Sequence, residues 1–304
     1  MLFRSLLQNS LALARQAGQQ LDIAFALDKL ALLLVIAFGE VGEAKHCLQE
    51  SLSLYQTGDD LYGLANALRN LGAAHSRAAE YTEAERVLQE SLALSKAIGD
   101  LRGMALTLNT LGVVVSDQGW HAAAQNCWRE CLALYQELND QKGMADALNN
   151  LGNEAVLMQE WQAALPLLEQ SLSIVRLIGY RLGIASSLDS LGYAACGLGD
   201  YPAARRHFSE ALRIMMDIHA VAYAVETLVG LATVQMREGQ FRPALDLLTF
   251  VLQHPKAVPE VRDRAAKLLA ELEAYVLPQE IASAREQASQ QARELEGVAE
   301  ALLR

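Results

Sequence analysis

The chain repeats itself with a period of 40 residues. Leu71-Gly72, Leu111-Gly112, Leu151-Gly152 and Leu191-Gly192 are spaced by 40, and Leu231-Ala232 continues the series. Ala84, Ala124, Ala164, Ala204 and Ala244 follow these pairs at one fixed interval, and Leu92, Leu132, Leu172, Leu212 and Leu252 follow at another. A constant period of about 20–50 residues marks stacked supersecondary modules, each burying its apolar face only against its neighbours. One closed core for all 304 residues is therefore not expected.

Residues 61–100 show what one repeat is made of. Ala65, Leu68, Leu71, Gly72 and His75 keep the spacing of a helical stripe, and Ala84, Val87, Leu88, Ser91, Leu92 and Ser95 keep it again. Ala79-Glu80-Tyr81-Thr82 makes the turn between them, with Thr82 expected to cap the second helix. Gly99 tolerates the left-handed conformation that ends a helix. Each repeat is thus predicted to be two antiparallel helices of about 17 residues.

The mid-helix glycines call for a packing reason, because Gly costs about 1 kcal/mol relative to Ala in a helix interior. Close approach of the facing helix supplies one. The second helix offers small residues at Ser51, Ser91, Cys131, Ser171 and Ala211, interleaved with Leu88, Trp128, Leu168, Phe208 and Leu248. Small set against large, in register, lets the packing propagate along a stack.

The period divides the chain. Residues 1–18 form the second helix of an incomplete repeat; 21–58, 61–99, 101–139, 141–179 and 181–219 are repeats one to five; 221–254 is a degenerate sixth; 258–304 forms capping helices. Leu7 to Leu13 matches Leu88 to Leu94 with little change, so a second helix stands without its first. The expectation is that a longer protein precedes residue 1, or that another molecule supplies the partner helix. At the other end, Leu295, Val298, Ala299 and Leu302 read as part of a cap or as a short partner-binding stripe.

Composition narrows the function. A net charge of −11 gives no overall drive toward nucleic acid or an anionic membrane, and the longest apolar run, Leu30 to Phe38, is about half a membrane span. The start lacks a signal-peptide pattern, and four cysteines in a chain of this length read as reduced, so a cytoplasmic protein is expected. Cys127 and Cys131 share a helix face, but they occupy the slots of Val87 and Ser91 and read as packing. No phosphate-binding loop, HExxH motif or nucleophile–base set is present, so no catalytic residue, metal or cofactor is assigned.

Leu148, Leu151-Gly152, Trp161, Ala164, Leu168 and Ser171 stand in the slots of a known motif. In them the chain resembles the tetratricopeptide repeat family, in its long-helix form with 40 rather than the usual 34 residues. That resemblance implies an all-α fold, a right-handed superhelical solenoid of antiparallel helix pairs. It also implies that the polar stripe beside the buried one lines a concave face. Carried over, the stripe is Asn66, Arg69, Ala73 and Arg77; Asn109, Val113 and Asp117; Asp146, Asn149 and Asn153; Ser186, Asp189 and Tyr193; then Glu226 and Arg237. The family's carboxylate-clamp pattern of Lys and Arg around paired Asn is not reproduced. In the first full repeat the stripe turns apolar, through Phe25, Leu32, Val35 and Ile36 around Asp28, which implies an apolar contact at that end.

Three functions follow. The first is a non-enzymatic protein- or peptide-binding scaffold that uses the concave groove, with no direct contact to nucleic acid or membrane. The second is the ligand- or partner-sensing arm of a larger bacterial regulator with an upstream nucleotide-binding switch domain, because long-helix arrays resemble the C-terminal arrays of such proteins. The third is a self-assembly module that forms a homodimer through exposed ends.

Overall fold

A computed structural model describes residues 2–35, 39–291 and 295–303. The chain divides into two compact units, Met1–Asp140 and Gln141–Arg304. In unit one lie α1 (Leu2–Ala17), α2 (Gln20–Leu33), α3 (Val41–Thr57), α4 (Leu61–Arg77), α5 (Tyr81–Ala97), α6 (Leu101–Asp117) and α7 (His121–Glu137). In unit two lie α8 (Gln141–Leu157), α9 (Trp161–Leu177), α10 (Arg181–Gly197), α11 (Tyr201–Asp217), α12 (Val221–Arg237) and α13 (Phe241–Gln253). The same unit ends with α14 (Pro259–Leu272), α15 (Pro278–Gln291) and α16 (Leu295–Leu303). The described residues contain no strand. Each unit is an all-α stack of antiparallel helix pairs in which every first helix also touches the next first helix: α2 to α4 to α6, and α8 to α10 to α12 to α14.

The turns are more regular than the 40-residue period requires. Residues 59, 79, 99, 119, 139, 159, 179, 199, 219 and 239 all have positive φ, one every 20 residues. One turn geometry therefore serves both junctions of every repeat, and α4 and α5 each run 17 residues between such turns. Gly99, at φ 71°, suits this conformation, whereas Ala79, at φ 56°, adopts it against its steric preference. Thr82 does not cap α5. Glu80 occupies the cap position, but its carboxylate bonds Lys45 and His75 and makes no capping bond, and the helix starts at Tyr81 after the left-handed turn. Aspartate caps two first helices and one second helix: Asp60 accepts from the Gly63 N–H at 2.9 Å, Asp100 from the Gly103 N–H at 2.9 Å, and Asp200 from the Ala203 N–H at 3.0 Å.

The glycines mark close approach. A Cβ on Gly72 or Gly112 in unit one would stand 2.5 Å from Leu88 Cγ or Trp128 Nε1. In unit two, one on Gly152 or Gly192 would stand 2.5 Å from Leu168 Cγ or 2.7 Å from Phe208 Cε1. The small slot of the second helix does more than make room. Ser51, Ser91, Cys131 and Ser171 donate to the carbonyls of Ala24, Ala65, Ala105 and Ala145 at 2.8–3.2 Å, tying each second helix to the backbone of its first. Cys131 is thus a buried donor inside a helix pair, and burial pushes the neighbouring Cys127 thiol above its ordinary range.

At the C-terminal end, α14 and α15 both pack on α13, and α16 returns to α11. Leu295 and Ala299 are buried in the same core as Leu245 and Leu248, with Val298 and Leu302 partly buried against it. The apolar stripe of the last helix is used within the molecule. At the other end Leu11 of α1 is buried while Leu6 and Leu13 are exposed.

Candidate functional site

The polar stripe of the first helices is mostly a set of bonds between neighbouring helices. In unit one, Asp28 of α2 is 1% exposed, and its two carboxylate oxygens accept from Asn66 Nδ2 and Asn70 Nδ2 of α4, each at 2.7 Å. Burial pushes the Asp28 carboxyl up, while the Asn70 amide and the Lys29 and Arg69 charges oppose that rise. Arg69 donates to Asn66 Oδ1, and burial holds its guanidinium below the usual arginine range. In unit two, the buried Asn149 donates to Ser186 Oγ and accepts from Ser190 Oγ, both at 3.4 Å. These bonds join residues 37–42 apart, one repeat with a small shift.

Further along unit two the stripe is less completely paired. Asp189 Oδ1 accepts from Thr227 Oγ1 at 2.7 Å, and Glu226 forms an ion pair with Arg264 Nη2 of α14 at 2.7 Å. The Arg264 guanidinium lies 5.3 Å from the centre of the Tyr193 ring, whose edge meets Phe208 with centroids 4.9 Å apart. The Tyr193 hydroxyl and Arg264 Nε are both buried without a hydrogen-bond partner. Burial and the Glu226 charge raise the Asp189 carboxyl to about 7, against the pull of Thr227 and Arg264; burial also raises the Tyr193 phenol. These groups surround a recess of about 260 Å³ that Asn153 and Ser186 also line, walled on its apolar side by Leu157, Met215 and Tyr223. Unpaired donors beside a carboxylate suit a ligand that both donates and accepts, as a peptide backbone does.

A tetratricopeptide repeat family description matches residues 37–97, 103–177 and 143–217. The chain belongs to the tetratricopeptide repeat family. No curated protein matches it significantly. Among solved structures of similar fold, BtubC (BKLC) from P. vanneervenii has TM-score 0.61 and 19% identity over 71% of this chain and 91% of its own. A Rap protein complexed with competence and sporulation factor has TM-score 0.59 and 13% identity, over 98% of this chain and 99% of its own. A signal-transduction ATPase of the STAND class with a tetratricopeptide repeat sensor, from Pyrococcus horikoshii, has TM-score 0.60 and 13% identity. That match covers 99% of this chain and 49% of the ATPase.

Within the tetratricopeptide array, Asn153, Asp189, Tyr193 and Glu226 share one recess, and Asn66 and Arg69 line another in unit one. The remaining stripe residues stand apart. Arg77 and Asp117 are exposed at the ends of α4 and α6; Asp146 pairs with Lys142 at 3.1 Å; Asn109 is half-buried, its carbonyl accepting from Trp128 Nε1 at 3.3 Å. The apolar end contact needs correction. Phe25 and Leu32 are exposed, but Val35 is buried, packed into the apolar cluster of unit one with Leu30 and Leu34. Ile36 lies outside the described residues. Among the described residues no three of His, Cys, Asp and Glu come together as metal ligands, and no helix is long and apolar enough to cross a membrane.

Sequence reading passed over Asn70, Ser190, Thr227 and Arg264. Arg264 sits 38 residues after Glu226, the interval that also separates Asp28 from Asn66 and Asp189 from Thr227. That interval is the signal that would have found it.

Proposed function

We propose that this tetratricopeptide array is a non-enzymatic scaffold that binds a protein or peptide segment along the first helices of unit two. The observation that carries this reading is the pair of buried, unpartnered groups, Tyr193 hydroxyl and Arg264 Nε, at the 260 Å³ recess beside Asp189. A buried polar group without a partner costs about 1–3 kcal/mol, and a ligand acceptor placed there recovers it. A peptide carbonyl meets Tyr193 and Arg264, and a peptide N–H or a cationic side chain meets Asp189. The Rap neighbour, which holds the competence and sporulation factor, supports ligand capture by a fold of this kind. Four cysteines outside any disulfide support a cytoplasmic setting.

The test is selection from a displayed peptide library, followed by affinity measurement on variants. Arg264→Met and Tyr193→Phe are expected to weaken selected peptides about tenfold each while the fold is retained. Equal affinity in both variants would remove this recess from the reading.

A second reading is the sensing arm of a larger signalling protein. It is supported by the match of nearly the whole chain to about half of an ATPase whose sensor is a tetratricopeptide array. A parent reading frame with a nucleotide-binding segment upstream of residue 1 agrees with it; a frame that opens at Met1 does not.

A further inference from the structure

One buried slot near the end of each first helix reads His75, Val115, Ala155, Ala195 and Gln235 in successive repeats. His75 bonds Glu80 through Nδ1, while Val115, Ala155 and Ala195 are buried aliphatics that need no partner. Gln235 breaks the series. Its side chain is 5% exposed, and its Oε1 has no hydrogen-bond partner among the described residues. A buried amide oxygen is costly in a slot that Val and Ala fill without penalty, and it calls for a donor.

The space beside Gln235 follows from how the last helix packs. Helix α16 returns to α11 and sets Leu295 and Ala299 into the core. Between α16, α13 and the end of α12 there remains a recess of about 410 Å³, within the range of about 300–1,000 Å³ usual for small-molecule sites. Its walls are Pro243, Leu247, Val298 and Leu302, with Gln235 and Asp246 as polar groups. Asp246 is paired with Arg242 at 3.1 Å, so its charge is already balanced. This recess shares no lining residue with the one that holds Tyr193 and Arg264, so it stands apart from the peptide site proposed above.

We propose that this recess binds an uncharged small molecule with an apolar body and one N–H or O–H donor, the donor seated on Gln235 Oε1. The leucine, valine and proline walls remove the body from water, and the amide oxygen fixes its orientation. An anion would meet the oxygens of Gln235 and Asp246. A cation would find Asp246 already engaged by Arg242. A ligand that only accepts hydrogen bonds would set oxygen against oxygen and leave the buried amide unsatisfied.

The experiment titrates the whole chain with indole and with benzofuran, which keeps the bicyclic shape but has an oxygen in place of the N–H. The Val298 and Leu302 methyl groups and the Gln235 side-chain amide are followed by NMR. Indole is expected to give saturable shifts at all three and to bind about fivefold more tightly than benzofuran, the factor that one neutral hydrogen bond gives. Gln235→Leu should bring indole down to the affinity of benzofuran. Its melting temperature should hold or rise, because the unpaired oxygen is gone. If Gln235→Leu loses its helical circular dichroism, Gln235→Ala, which copies the side chain of Ala155 and Ala195, should show the same equal affinity for the two probes. No saturable indole shift at Val298 and Leu302, equal binding of the two probes by the unaltered chain, or an undiminished preference for indole in the variant would overturn the assignment.

Discussion

Asp28 in unit one and Asp189 in unit two occupy the same slot of the repeat, and their surroundings differ. Asp28 is closed on both oxygens by the amides of Asn66 and Asn70. Asp189 has the Thr227 hydroxyl on one oxygen, faces Glu226, and sits beside a phenol and a guanidinium nitrogen that lack partners. The first arrangement is a finished structural bond between helices. The second keeps donors and an acceptor facing an open recess. A repeat can therefore keep its packing and change its chemistry, because packing depends on the Gly and Ala slots while the stripe beside them is free to vary.

That separation predicts equal damage from equal packing changes. Gly72→Leu and Gly152→Leu each drive a large side chain into a buried leucine, Leu88 or Leu168. Each should cost about 3 kcal/mol or more, the upper end of overpacking effects, as read by chemical denaturation. A much smaller cost in one unit would show that its helix pairs are looser, and the comparison of the two stripes would then no longer rest on a common frame.

Asp28→Ala comes next in size. It leaves the Asn70 amide, only 7% exposed, without its acceptor, and frees Asn66. The expected loss is about 2 kcal/mol, the cost of a buried donor left unpaired. A loss under about 0.5 kcal/mol would mean that the amides find other partners, and Asp28 would then no longer be a structural bond.

How much of this was legible depends on which distances the sequence repeats. The Leu-Gly pairs and their knobs recur at one interval, so comparing equivalent positions found the close approach of Gly72 to Leu88 and Gly192 to Phe208. Ser51, Ser91 and Ser171 were read only as small, because a hydrogen bond to the carbonyl of another helix leaves no mark in hydropathy. The polar stripe was read as facing a ligand, yet Asn66 and Asn149 are engaged by neighbouring helices at intervals of 37–42 residues. Alignment at a fixed 40 hides such partners. Arg264 lies beyond the last repeat, where only its 38-residue interval from Glu226 points to it.

The last effect bears most directly on the difference between the two aspartates, and its sign is opposite. The Asp189 carboxyl titrates at about 7 in the folded chain against an ordinary value of 3.8, raised by burial and by Glu226 while Thr227 and Arg264 oppose. The folded state therefore holds this proton more tightly than the unfolded chain does. Its contribution to stability is fully present below about pH 4 and is lost as pH rises through about 7. Asp189→Asn keeps an acceptor for Thr227 and removes the titration. The variant's melting temperature should match the parent near about pH 4.5 and exceed it by a few degrees near about pH 8. The gain at high pH should accompany weaker binding of any ligand that donates to Asp189. A difference that does not vary with pH, or a variant less stable at pH 8, would make Asp189 a structural carboxylate like Asp28 and erase the contrast between the two units.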